Sequence, residues 1–94
     1  MQFAIICKDR ADAGNLRQET RSKHIEYLDQ HESRLVYAGP LLRADGETPA
    51  GSLLVFDGED KADAEAFAEG DPYAEAGLFE SVEIHPIRQV YPKG

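Results

Sequence analysis

"RLVYAGPLLRADGETPAGSLLVF", residues 34–56, holds two apolar runs on either side of a polar stretch. "RLVYAG" (34–39) and "SLLVF" (52–56) are rich in β-branched, aromatic and leucine side chains and read as strands. "ADGETPAG" (44–51), with its glycines and proline, reads as the turn that joins them into a hairpin. A hairpin in the middle of a 94-residue chain decides the fold, because everything before and after it has to pack onto its two strands.

On the N-terminal side, "QFAIICK" (2–8) reads as a first strand ended by the turn residues "ADAGN" (11–15). Leu16 to about Glu32 has no glycine or proline and is rich in helix formers, so it reads as a helix with Asn15 as its cap. His24, Ile25, Tyr27 and Leu28 share one broad face of that helix and are expected to look toward the sheet. On the C-terminal side, Asp60 is placed to cap a second helix, "KADAEAFAE" (61–69), which Gly70 terminates. Asp71 stands before Pro72, and a residue before proline is pushed toward extended backbone angles, as an N-cap requires. A short helix over 72–76, closed by Gly77, follows, and "LFESVEIHPI" (78–87) makes a fourth strand in which Pro86 marks a bulge or an edge.

The order is β-α-β-β-α-β, a ferredoxin-like α+β arrangement with an antiparallel sheet, expected to occupy residues 1–94 as one domain. The strand over 52–56 is apolar at both parities, Leu53 and Val55 against Leu54 and Phe56, and the first strand is nearly so. Two helices hide one face of a four-stranded sheet, so the other face calls for a second copy of the chain, packed sheet to sheet.

No apolar run approaches the roughly 20 residues of a membrane span, and no basic-then-apolar leader begins the chain. The single cysteine, Cys7, forms no internal disulfide and suits a reducing compartment, with the cytoplasm as the expected location. The net charge of −8 is uneven: residues 48–94 carry 3 basic and 10 acidic groups. Such a surface repels phosphate backbones, so no nucleic-acid partner is expected.

Histidine is the side chain that exchanges protons near neutral pH, and the chain has three. His31 stands at the end of the long helix, where it satisfies free carbonyls, and His85 precedes a proline at the surface. His24 lies on the inward face, with Arg21 and Arg17 aligned above it at i−3 and i−7, and fits either a satisfied boundary histidine or a ligand-facing one. Zinc spacings such as H-x-x-x-H and C-x-x-C are absent, as are the glycine-rich loops that cradle phosphates, so neither metal nor nucleotide cofactor is expected. Cys7 shares strand parity with Phe3 and Ile5 and reads as core. Taken alone, Asp71 is a helix cap.

Arg21, His24, Tyr27 and Leu28, then "AGPLL" (38–42), then "DG" (45–46) with "GSL" (51–53), then "DPYAEAGLF" (71–79), follow one another in an order and spacing that resemble the YciI-like proteins, the YCII-related domain family, over almost the whole chain. The resemblance implies a dimeric α+β barrel and an active site built on a helix histidine and the aspartate of the DPY turn, here His24 and Asp71. Such a pair supports cofactor-independent proton transfer, of lyase or isomerase type, on a small ring-containing or enolisable molecule. Arg21, Ser52 and Tyr73 are then the binding candidates. Two other classes stay open at the level of sequence: a metabolite-binding module in which the same groups only orient a ligand, and an interaction protein whose dimer interface is its purpose.

Overall fold

Residues 1–93 are described by a computed structural model. Strand β1 (Gln2–Asp9) leads to helix α1 (Leu16–Gln30), a 3₁₀ turn (Glu32–Arg34) and strands β2 (Leu35–Leu42) and β3 (Pro49–Asp57). Helix α2 (Lys61–Gly70), the short helix α3 (Pro72–Glu75) and strand β4 (Phe79–Ile87) complete it. All pairings are antiparallel and the strand order is β2-β3-β1-β4, the ferredoxin-like order expected from the sequence.

The hairpin strands are longer than the sequence reading gave, because the turn is tighter. One Asp45 oxygen accepts from the backbone N–H of Glu47 and of Thr48, each at 2.9 Å, and Gly46 takes the left-handed φ of 70°. The strands therefore run to Leu42 and from Pro49. Each strand proline stands where no ladder bond is lost: Pro40 in edge strand β2, Pro86 in edge strand β4, and Pro49 at the first residue of β3. The alternatives for Pro86 resolve as an edge, and the irregular register of the β1–β4 pair lies at Lys8 and Asp9. Helix α1 stops at Gln30, and Asn15 occupies its N-cap position without a side-chain bond, at φ −95° and ψ 13°. Its carbonyl only begins the helical ladder, accepting from Glu19 N at 3.0 Å. Asp60 does cap α2, accepting from Asp63 N at 2.9 Å, a bond of the kind that stabilises a helix by about 1 kcal/mol.

Phe3 and Ile5 of β1 and Leu54 and Phe56 of β3 point to the helix side and are buried against Ala64, Phe67 and Ala68 of α2, with Phe56 and Phe67 stacked at 4.3 Å. The paired residues of opposite parity, Ala4, Ile6, Leu53 and Val55 with Tyr37 and Leu41, form a sheet face with no helix over it. Helix α1 departs from expectation: only Thr20 and His24 are buried on it, Tyr27 and Leu28 are half-buried, and Ile25 is exposed. It leans on α3 instead of lying flat on the sheet, and the gap beneath it is a cavity. No helix among the described residues is long and apolar enough to cross a membrane.

Candidate functional site

Asp71 links the two C-terminal helices. Its backbone is extended, at φ −64° and ψ 128°, as the following proline demands, and its Oδ1 accepts the Tyr73 N–H at 3.0 Å as the cap of α3. The same oxygen lies 2.8 Å from Nδ1 of His24, which the middle of α1 delivers from 47 residues away. Both side chains are buried. An ionised carboxylate can only accept, so Nδ1 carries the proton and donates it to Asp71, which leaves Nε2 of the neutral ring as an acceptor.

Tyr73, in the first turn of α3, lays its ring on the His24 imidazole, with centroids 3.9 Å apart and planes 16° apart. The guanidinium of Arg17, two turns before His24 on α1, sits 4.7 Å from the Tyr73 ring centroid. Arg17 is fixed by a two-bond fork to Asp9, Nε to Oδ2 and Nη2 to Oδ1 at 2.8 Å each, and its Nη2 also donates to Ser52 Oγ at 3.0 Å. Burial alone would lower the pKa of Arg17, but the hydrogen bond and charge of Asp9, together with Tyr73, outweigh it and raise the value further. The Tyr73 phenol is pushed up mainly by burial, with Arg17 and Arg21 pulling the other way, so it stays protonated through the neutral range.

The floor of the cavity holds His24, Tyr73 and Ser52, and its walls are α1 on one side and the helix-side face of the β2–β3 hairpin on the other. Its volume of about 620 Å³ falls within the range of small-molecule sites. Asp71 stands behind His24 and does not line it. Arg21 lines the wall but is exposed, and among the described residues it forms no hydrogen bond or ion pair. Ser52, read from the sequence as the first residue of its strand, lies well inside β3, opposite Cys7. The structure thus brings His24, Asp71, Tyr73 and Ser52 together and leaves Arg21 at the rim. What the sequence reading passed over is the Asp9–Arg17 pair; the i−7 alignment of Arg17 with His24 pointed to half of it, and nothing pointed to Asp9.

The other groups stand apart. His31 Nδ1 donates to the Tyr27 carbonyl at 2.8 Å, closing α1, and His85 is exposed beside Glu83 at 3.2 Å. Cys7 is buried in the core, and burial, reinforced by the charge of Asp71, pushes its thiol up to about 12.

Among curated proteins, no sequence matches the chain. Among solved structures, the chain is similar to the 5-chloro-2-hydroxyhydroquinone dehydrochlorinase of Burkholderia phenoliruptrix AC1100, in its complex with 2,5-dihydroxybenzoquinone. The TM-score is 0.87 and the identity 29%, over 94% of each chain. Residues 1–88 match the family model of the YCII-related domain, the family whose histidine and DPY motifs the sequence resembles, and the chain belongs to the YCII-related domain family.

Proposed function

We propose that this protein is a cofactor-independent lyase or isomerase that moves a proton on a small ring-containing or enolisable substrate, with His24 as the base and Asp71 behind it. The observation that carries the reading is the 2.8 Å bond between His24 Nδ1 and Asp71 Oδ1 at the edge of a cavity that His24, and not Asp71, lines. The likeness to a dehydrochlorinase supports the reaction class.

In the proposed step, Nε2 takes a proton from a ring hydroxyl or an acidic C–H. From a C–H the released pair becomes a new double bond in the ring; from a hydroxyl it becomes a C=O bond and moves a ring π pair toward the saturated ring carbon that bears the leaving group, or toward the ring carbon that takes the proton. In an elimination, the group lost from the ring leaves with its own bonding pair; in an isomerisation, the proton is returned at another carbon. Asp71 stabilises the imidazolium that forms and keeps the ring in one tautomer, a role of the kind that contributes about 10²- to 10⁴-fold to rate. Tyr73 offers a flat, neutral surface beside the base, Ser52 a hydroxyl on the floor, and Arg21 a cation at the rim. A second copy of the chain covers the bare sheet face, giving a homodimer, since a soluble monomer rarely leaves so large an apolar surface in water.

The test is chloride release from 5-chloro-2-hydroxyhydroquinone, the compound named for the similar enzyme, and from a panel of other halogenated or enolisable hydroxylated rings. Turnover by the wild type, reduced about 10²- to 10⁴-fold in His24→Ala, is expected. A wild-type rate no faster than the uncatalysed reaction across the panel, or full activity in His24→Ala, overturns the reading; the first of these leaves a metabolite-binding module.

A further inference from the structure

The chain carries 18 acidic and 10 basic residues, yet its cavity has the opposite balance. Four of the six arginines, Arg10, Arg17, Arg21 and Arg43, line it, against a single carboxylate, Asp9. The charges are also sorted by depth. Arg17, half-buried, has its charge matched by the Asp9 fork. The other three are exposed and come from three separate elements: the segment after β1, helix α1, and the β2–β3 turn. Arg10 approaches only Asp12, at 4.0 Å with both side chains well solvated, and among the described residues Arg21 and Arg43 form no ion pair, although the charge of Arg43 is felt by the exposed Asp45 of the same turn. The positive charge of Arg21 reaches as far as the Tyr73 phenol, so this rim cation is within range of the floor. In an acidic chain whose charge otherwise repels anions, two guanidinium groups without an ion pair, Arg21 and Arg43, and a third held only loosely by Asp12 line one cavity. A planar guanidinium fork matches a carboxylate with two parallel bonds, and an electropositive cleft in low-dielectric walls concentrates anions.

We propose that the cavity selects a ring that bears a carboxylate, with the ring on the floor beside His24 and Tyr73 and the carboxylate at the rim between Arg21 and Arg43. This rests on the cavity being the substrate site and names the class of substrate it takes. The ring hydroxyl or C–H is what His24 works on; the carboxylate is a handle that takes no part in the proton transfer and fixes which edge of the ring faces Nε2.

The test is calorimetric titration of the full chain with gentisate and with gentisamide, which share the dihydroxylated ring and differ in the charge of one substituent. The wild type is expected to bind gentisate about tenfold or more tightly than gentisamide, the scale of one hydrogen bond to a charged group. Added salt is expected to narrow the preference, because the rim is solvated. Arg21→Gln and Arg43→Gln should each reduce the preference several-fold and together bring it near unity, while Arg88→Gln, which removes the same charge outside the cavity, leaves it intact. Equal binding of the two compounds by the wild type, no binding of either at millimolar concentration, or an equal loss of preference in Arg88→Gln overturns the proposal. Because the readout is binding, it is separate from the chemistry: a preference retained in His24→Ala keeps this proposal standing even if His24 moves no proton.

Discussion

One oxygen of Asp71 holds two structures at once: Oδ1 is 2.8 Å from Nδ1 of His24 and 3.0 Å from the Tyr73 N–H that begins α3. The cap and the histidine contact therefore cannot be separated by deleting the side chain. They can be separated by changing its charge.

Asparagine caps helices about as well as aspartate and its amide oxygen can accept both bonds, so Asp71→Asn is expected to cost under about 1 kcal/mol in urea unfolding. Asp71→Ala removes a cap worth about 1 kcal/mol and also strands a buried imidazole N–H, a further cost of roughly 1–3 kcal/mol. Turnover should fall in both variants about as far as in His24→Ala, because neither leaves a charge to stabilise the imidazolium. A stable Asp71→Asn variant that keeps the full wild-type turnover would reduce Asp71 to a helix cap.

Cys7 gives a pH-dependent outcome. Its pKa, pushed up to about 12 by burial and by the charge of Asp71, is above the usual thiol value near 8.5. A raised folded-state value means that the contribution to stability is fully present below the usual thiol value and is lost as pH rises toward 12. At about pH 8 the folded protein is expected to resist alkylation by iodoacetamide and to gain one label per chain only in denaturant. Rapid labelling of the folded protein would contradict the burial of Cys7.

The uncovered sheet face predicts the assembly. Light scattering is expected to give twice the 10.4 kDa chain mass, and Val55→Asp, which sets a carboxylate in the middle of that face, should return the mass to one chain. A Val55→Asp protein that keeps the wild-type mass would place the contact elsewhere.

Much of the fold is legible in the sequence because its signals are local. The Asp60 and Asp71 caps and the polar turn of the central hairpin each lie within a few residues of what they organise. The seat of α1 is not legible in this way. Ile25 has the periodicity of a core residue but stands over a cavity, and whether a helix face meets side chains or a void depends on the far side of the gap. Asn15 is a good capping residue in a conformation that makes no cap. At the site, Asp71 reads as a cap by spacing alone, and its meeting with His24 across 47 residues was expected only through the family resemblance. The Asp9–Arg17 fork joins a strand end to a helix, a contact with no periodic pattern to betray it.

The central claim is that Asp71 holds the proton of His24 on Nδ1 and leaves Nε2 as the base. Long-range ¹⁵N–¹H correlation of the histidine rings, recorded about two units above the ordinary histidine pKa of roughly 6.5, reads this directly and needs no substrate. The expected result is a His24 ring protonated at Nδ1, the less favoured tautomer of free histidine, with that preference lost in Asp71→Ala. A His24 ring protonated at Nε2 in the wild type would leave no lone pair on the nitrogen assigned as the base, and would contradict the claim.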